Sequence, residues 1–221
     1  MIITIDGPAG AGKSAVARAL ARRLGFRFLD TGAMYRAVTL AGMRRAVDWQ
    51  DPHQLARIAE KADIRLHGQE VLLDGEDVTH QIRASEVTAV TKYAADNLRV
   101  RRRLVELQRA AVGCDDVVCE GRDQGTVAFP GAQCKIFLTA TPEERARRRL
   151  RDLQSQGESA TLEDVLAAQR QRDQRDSARA VGPLVAATDA IEVCSDGMTL
   201  NEVVDRLESI VRDRRRGKER L

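Results

Sequence analysis

Residues 7–14 read Gly-Pro-Ala-Gly-Ala-Gly-Lys-Ser, with Gly7, Gly12, Lys13 and Ser14 at the spacing of a nucleotide-phosphate loop. Glycine lets successive amide N–H groups turn onto one phosphate, and a helix starting at the loop adds the positive end of its dipole. Lys13 is placed to reach the β- and γ-phosphates, and the Ser14 hydroxyl to enter a Mg2+ shell. The expected contacts to the nucleotide phosphates are Gly7, Ala9, Gly10, Ala11, Gly12, Lys13, Ser14 and Ala15. The loop does not name the group that receives the last phosphate. Water, a protein, a sugar, a small acid and another nucleotide all stay open.

The other residues with chemical potential are arginines. Of 36 basic residues only five are lysine, and the guanidinium fork suits phosphate better than a point charge does. Arg36 lies in Asp-Thr-Gly-Ala-Met-Tyr-Arg, about two turns into a helical segment. Arg122 and Asp123 follow Glu120-Gly121 at the carboxyl end of a strand-like run, the end where open α/β sheets bind ligands. Arg172 and Asp176 are i and i+4 neighbours, and Arg179 follows at the next near-turn spacing. Forks converging on one cleft suit a second phosphorylated ligand better than a neutral sugar. Surface ion pairs are the alternative for each arginine taken singly.

These groups need a scaffold, and apolar patterning describes one. Met1–Ile5 is an apolar run entering the loop; Lys13–Gly25 carries apolar residues at helical spacing and ends at a glycine. Arg27–Asp30 is a short strand, and Thr31–Ala46 is helical again. Asp116–Glu120, Cys134–Thr139 and Ala190–Cys194 are three further core strands. Helices are expected from near Pro142, from near Thr161 with Asp164 completing a capping box, and over about Thr199–Arg212. This alternation predicts an α/β P-loop NTPase fold, a parallel five-stranded sheet flanked by helices. Asp63–Thr79 breaks the pattern with an Asp74-Gly75 turn between β-like segments, and a mostly helical stretch follows. The expected division is a core of residues 1–62 and 113–221 and a small inserted subdomain over 63–112.

At 221 residues the chain is long enough for a substantial core without disulfides, and its four cysteines include no C-x-x-C pair. Cys119, Cys134 and Cys194 fall in apolar runs and are expected to be buried. His53, His67 and His80 lie outside every motif and are expected at the surface or in structural roles. No apolar run approaches membrane-spanning length and no signal peptide is read, so the expectation is a soluble cytoplasmic protein. A net charge of +3 and an aromatic content of 3% argue against a nucleic-acid module built on stacking. A guanine-reading Asn-Lys-x-Asp signature is absent. The basic tail reads as a frayed, solvated helix end.

Taken together, the segments IDGPAGAGKS, LDTGAMYRA, GEDVTHQIR, EGRDQGTVAFP, KIFLTATPEERARRR and QRDQRDSARAVGPL resemble the bacterial cytidylate kinases, within the nucleoside monophosphate kinases. The resemblance runs from about Ile3 to about Glu208. It implies transfer of a phosphoryl group from ATP with Mg2+ to CMP or dCMP, by a monomer with no nucleic-acid or membrane partner. It implies that the insertion is a subdomain for binding the nucleoside monophosphate, and that the acceptor's contacts across the chain are Thr31, Tyr35, Arg36, Arg101, Gly121, Arg122, Asp123, Arg172, Asp176 and Arg179. By motif, Arg101 and Asp123 read cytosine, Arg36 and Arg122 hold the acceptor phosphate, and Arg172 and Asp176 hold the ribose. Arg179 bridges toward the transferring group, and Lys13, Arg122 and Arg179 form the catalytic set. Ser14 binds the metal, with Asp30 and Glu120 acting through water. A short lid is expected over about 145–160, carrying Arg145, Arg148 and Arg149; an amphipathic helix with a solvated face is the alternative. Three positions depart from the family pattern. Lys92 stands where a Ser is common, with Thr88 and Thr91 as alternative hydroxyls; Ala15 replaces a Thr; Glu120 replaces an Asp.

Overall fold

The computed structural model describes residues 1–68, 70–155 and 157–218. It divides into two compact units, Met1–Phe28 with Asp116–Leu221, and Leu29–Asp115.

The first unit is built on a five-stranded sheet in the order β2-β6-β1-β7-β8. Its strands are β1 (Ile2–Asp6), β2 (Arg27–Asp30), β6 (Val117–Gly121), β7 (Cys134–Thr139) and β8 (Ile191–Cys194). The pairings β1–β6, β1–β7 and β7–β8 are parallel. Four of the five residues of β1 are buried, as expected of a central strand covered on both faces. Helices α1 (Lys13–Leu24) and α8 (Leu200–Lys218) pack on this sheet and on each other through Val16, Leu20, Val203, Val204, Leu207 and Val211. Helices α6 (Pro142–Ser155) and α7 (Leu162–Ser177) form a second layer around Ala146, Leu153 and Val165. Thr161 caps α7 by accepting the Asp164 N–H at 3.1 Å. Asp164 takes the Thr161 hydroxyl at 2.6 Å instead of reaching back to the Thr161 N–H, so the expected box is half made. The full reciprocal box sits at α8: Glu202 accepts the Thr199 N–H at 2.7 Å, and Thr199 Oγ accepts the Glu202 N–H at 3.3 Å.

The chain passes into the second unit within β2. That unit holds α2 (Thr31–Arg44), α3 (Pro52–Lys61), α4 (Ser85–Asp96), α5 (Leu98–Val112) and a three-stranded antiparallel sheet. The sheet comprises β3 (Ile64–His67), β4 (Glu70–Leu73) and β5 (Glu76–Asp77), with Asp74 and Gly75 both at positive φ in the tight turn. The unit is wider than the expected 63–112 because one core joins α2 and α3 to the small sheet and to α4 and α5, through Met34, Val38, Leu55, Ile64, Leu73 and Leu104. Helix α3 lies outside the elements expected from apolar patterning, although Asp51 accepting the His53 N–H at 2.9 Å and Pro52 in the first turn are a standard helix start.

Cys119 and Cys134 are buried, but Cys194 is exposed, contrary to expectation. It ends the edge strand β8, where Val193 is the residue turned to the core. All four cysteines are free. No helix is long and apolar enough to cross a membrane among the described residues.

Candidate active site

The phosphate loop is shaped by its neighbours as well as by its glycines. Gly7 has φ of 149°, and a Cβ there would lie 1.9 Å from the Leu138 carbonyl oxygen, so the loop can leave β1 beside β7 only with glycine. Gly12, at φ of 86°, is the N-cap of α1 and has no side chain to cap with. The first-turn amides of α1 therefore carry no capping side chain from Gly12. Lys13 is 6% exposed, and its Nζ donates to the Pro8 carbonyl at 2.7 Å, bridging the loop on itself. Burial, then the charges of Arg122 and Arg172, hold its pKa well below the usual lysine value, while Glu120 and Asp6 act in the opposite direction. Ser14 and Ala15 are exposed on the first turn of α1.

The residues after β6 sit in this same charge field. Glu120 and Asp123 are buried at its carboxyl end. Gln124–Ala128 forms a π-helical turn closed by the Ala128 N–H to the Asp123 carbonyl at 3.2 Å and the Phe129 N–H to the Gln124 carbonyl at 2.7 Å. Asp6, the last residue of β1, holds the start of that turn: its carboxylate accepts the Gln124 N–H at 2.9 Å and the Gly125 N–H at 2.7 Å. Burial pushes the Asp6 pKa up to about 6, against the lowering effect of those two N–H bonds. Asp6 went unread in the sequence because an acid ending an apolar strand has no spacing signature.

Helix α7 supplies the rest. Asp176 is 3% exposed, with Arg122 Nε donating to Oδ2 at 3.0 Å and Arg179 Nη2 donating to Oδ1 at 2.6 Å. The expected residues Arg122, Asp176 and Arg179 are thus in direct contact, and the exposed Arg172 lies within electrostatic reach of Lys13. On α6 the expected lid arginines differ. Arg145 is buried, with its fork on protein partners. Arg148 spans Glu144 and the Ser195 carbonyl, both at 2.9 Å, and Arg149 is exposed. Gln156, within the expected lid, lies outside the described residues.

The second unit carries its own group. Asp30 caps α2 by accepting the Ala33 N–H at 2.9 Å and lies 3.6 Å from Arg83, a partner the sequence reading did not single out. Arg101 on α5 is buried with its guanidinium 5.7 Å from the Tyr35 ring centre, and its Nη1 donates to the Ala95 carbonyl at 3.0 Å. Thr31 is buried in the first turn of α2, and Arg36 is half-buried with no ion pair among the described residues. Lys92 lies over the Tyr93 ring at 5.1 Å, and the Thr91 hydroxyl donates to the Val87 carbonyl of its own helix at 2.7 Å. His53, His67 and His80 are all exposed.

The sequence profile of the cytidylate kinase family matches residues 3–213. A cytidylate kinase of Rhodopirellula baltica is 51% identical over 96% of this chain and 93% of its own length. One from Carboxydothermus hydrogenoformans is 46% identical over 96% and 97%. The crystal structure of an uncharacterized protein from Eubacterium ventriosum shares the fold at a TM-score of 0.52 and 11% identity, over 95% of this chain and 96% of that one. With its phosphate loop, parallel sheet and near-complete family match, the chain belongs to the cytidylate kinases, nucleoside monophosphate kinases of the transferase class.

Proposed function

We propose that this kinase carries the γ-phosphoryl of ATP to CMP or dCMP through arginines held by Asp176, and that it does so without a general base. One observation carries the reading: Asp176 holds both Arg122 and Arg179 in the unit that bears Lys13. The phosphate of a nucleoside monophosphate has its second pKa at about 6, so at neutral pH it is mostly a dianion and already a nucleophile. The obstacle is repulsion between two polyanions, and fixed cations remove it. Arg122 takes the acceptor phosphate with Arg36, Arg179 faces the transferring group, and Lys13 neutralises the donor phosphates. Arg172 and Asp176 lie toward the ribose. Arg101 and Asp123 read the base: a carboxylate accepts from the cytosine amino group, and a guanidinium donates to its ring acceptors. Arg148 and Arg149 belong to a lid that excludes water.

Mg2+ fits the residues present. The Ser14 hydroxyl is exposed at the start of α1, the Glu120 carboxylate ends β6, and no group of three metal-binding side chains occurs among the described residues. That donor set suits an ion held mainly by water and phosphate oxygens, with Ser14 direct and Glu120 and Asp30 through water. Bound there, Mg2+ would offset charge on the β- and γ-phosphates. One chain carries every group the reaction needs, so we propose a monomer acting on small molecules in the cytoplasm.

The test is ADP release from ATP and Mg2+ against CMP, dCMP, UMP, AMP, GMP and shikimate. Turnover should be highest with CMP or dCMP. Equal, slow ATP consumption with and without a pyrimidine monophosphate would overturn the proposal.

A further inference from the structure

The outside of the phosphate loop is gripped by a side chain that also grips α7, the helix bearing Arg172 and Asp176. Arg145 is 4% exposed. Its Nε donates to the Ala140 carbonyl at 3.1 Å and its Nη1 to the Ala9 carbonyl at 3.0 Å. The same Nη1 lies 2.8 Å from Asp173 Oδ2. One planar fork thus joins the loop, the start of α6 and the middle of α7, a geometry a lysine ammonium does not reproduce. The loop rests on α6 closely enough that a Cβ at Gly10 would lie 3.1 Å from Arg145 Cβ.

Two consequences follow from elementary geometry. In a trans peptide the carbonyl and the next N–H point opposite ways, so holding the Ala9 carbonyl toward Arg145 turns the Gly10 N–H away from it. That orientation is what an anion cradle of backbone amides requires. On the other side, Asp173 Oδ1 is buried with no hydrogen-bond partner among the described residues. The side chain is 24% exposed, and Arg145 on Oδ2 is its ion pair, so losing that contact leaves a partly buried carboxylate short of a partner. Asp173 stands between Arg172 and Asp176 in sequence, one residue from the first and three from the second. Any shift of the Ala9 carbonyl is therefore felt through Arg145 at the helix that carries Arg172 and Asp176.

We propose that Arg145 and Asp173 are a positioning pair that couples filling of the phosphate loop to the placement of the acceptor-binding side chains of α7. A triphosphate that draws the loop amides inward reorients the Ala9 carbonyl, and Arg145 passes the change to Asp173. The acceptor's identity in this inference rests on the function proposed above. Coupling of this kind is reciprocal: each nucleotide changes the affinity of the other by the same factor.

Calorimetry on the full chain measures that factor with CMP and a non-hydrolysable ATP analogue, alone and together, in the wild type, Asp173→Asn and Arg145→Lys. The wild type should show mutual tightening of about fivefold or more. In both variants the factor should fall toward one, and the ATP analogue alone should also bind more weakly, because the Gly10 N–H is held less firmly toward the phosphate. Steady-state kinetics at saturating ATP should show KM for CMP rising by a larger factor than kcat falls. Amide exchange at residues 9–13 should quicken in Asp173→Asn although the substitution is on α7. A wild-type factor of one, or an unchanged factor in Asp173→Asn, overturns the coupling. Should one variant fail to fold, the other decides on the same criteria. If the wild type binds the ATP analogue and no CMP, the acceptor assignment fails. The pair then stands or falls on the amide exchange, and unaltered exchange overturns it.

Discussion

Asp123 is the residue on which the proposed choice of base turns. It is buried after β6, where an acceptor carboxylate can take the cytosine amino group but has no donor to offer a uracil carbonyl. Leaving a buried polar group unpaired costs about 1–3 kcal/mol, so Asp123 should discriminate roughly tenfold to a hundredfold. Asp123→Ala should therefore lower kcat/KM for CMP by at least that factor while changing UMP use much less. Equal losses on both substrates would take Asp123 out of base reading. Asp6 makes a different prediction. Its pKa rises from 3.8 in the open chain to about 6 in the fold, so the folded protein holds this proton over a range where the unfolded chain has lost it. The resulting stabilisation is fully present below pH 3.8 and disappears as pH climbs through about 6. Comparison with Asp6→Asn isolates it, since the lowered carboxyls Asp51, Glu76, Asp77, Asp189 and Glu202 are common to both proteins. Relative to the variant, the wild type should lose on the order of 3 kcal/mol of unfolding free energy across that interval. Denaturant titrations at several pH values measure it, and a flat difference would show that Asp6 does not titrate as a buried acid.

Elements turn such residues into a site, and their ends matter most. Asn97 caps α5 by accepting the N–H groups of Arg99 at 3.0 Å and Val100 at 3.2 Å, and its amide donates to the Pro52 carbonyl at 2.7 Å on α3. Asn97→Ala should cost about 1–2 kcal/mol of stability. Because α5 carries Arg101, the variant should also raise KM for CMP more than KM for ATP, and a uniform change in both would argue that the cap serves stability alone. The core strands were legible because buried parallel strands are short continuous apolar runs, and each of the five observed strands lies within one residue of its expected bounds. The π-helical turn was not legible, since its hydrogen bonds and the Asp6 carboxylate that holds it come from outside any local pattern. Arg145 was visible as an arginine in a basic run, but spacing cannot tell which way a guanidinium points. Three of its neighbours are exposed or half-exposed, whereas Arg145 faces the loop. Cys194 failed for the same reason in reverse: an apolar run marks a strand, not which residue at its edge turns inward. The family motifs, by contrast, single out Arg122, Asp176 and Arg179 from the sequence, and Arg122 and Arg179 both donate to Asp176.

At the scale of the whole molecule, the two units possess separate apolar cores. One is built from β1, β6, β7, β8, α1 and α8, the other from α2 to α5 and the small sheet. Units with their own cores need not unfold in one step. The chain contains a reporter for this, since its single tryptophan, Trp49, stacks on Tyr93 with ring centres 5.4 Å apart inside the second unit. Far-UV circular dichroism follows the helices and strands of both. The phosphate loop and α1 lie entirely in the first unit, so an ATP analogue stabilises that unit directly, by about 2.7 kcal/mol at a hundredfold excess over Kd. Adding the analogue should therefore move the dichroism midpoint in a urea titration more than the Trp49 midpoint, and the two curves should separate. If the curves coincide with and without nucleotide, the units unfold as a single cooperative body. The phosphate loop would then be stabilised by the whole chain and not by the sheet that presents it.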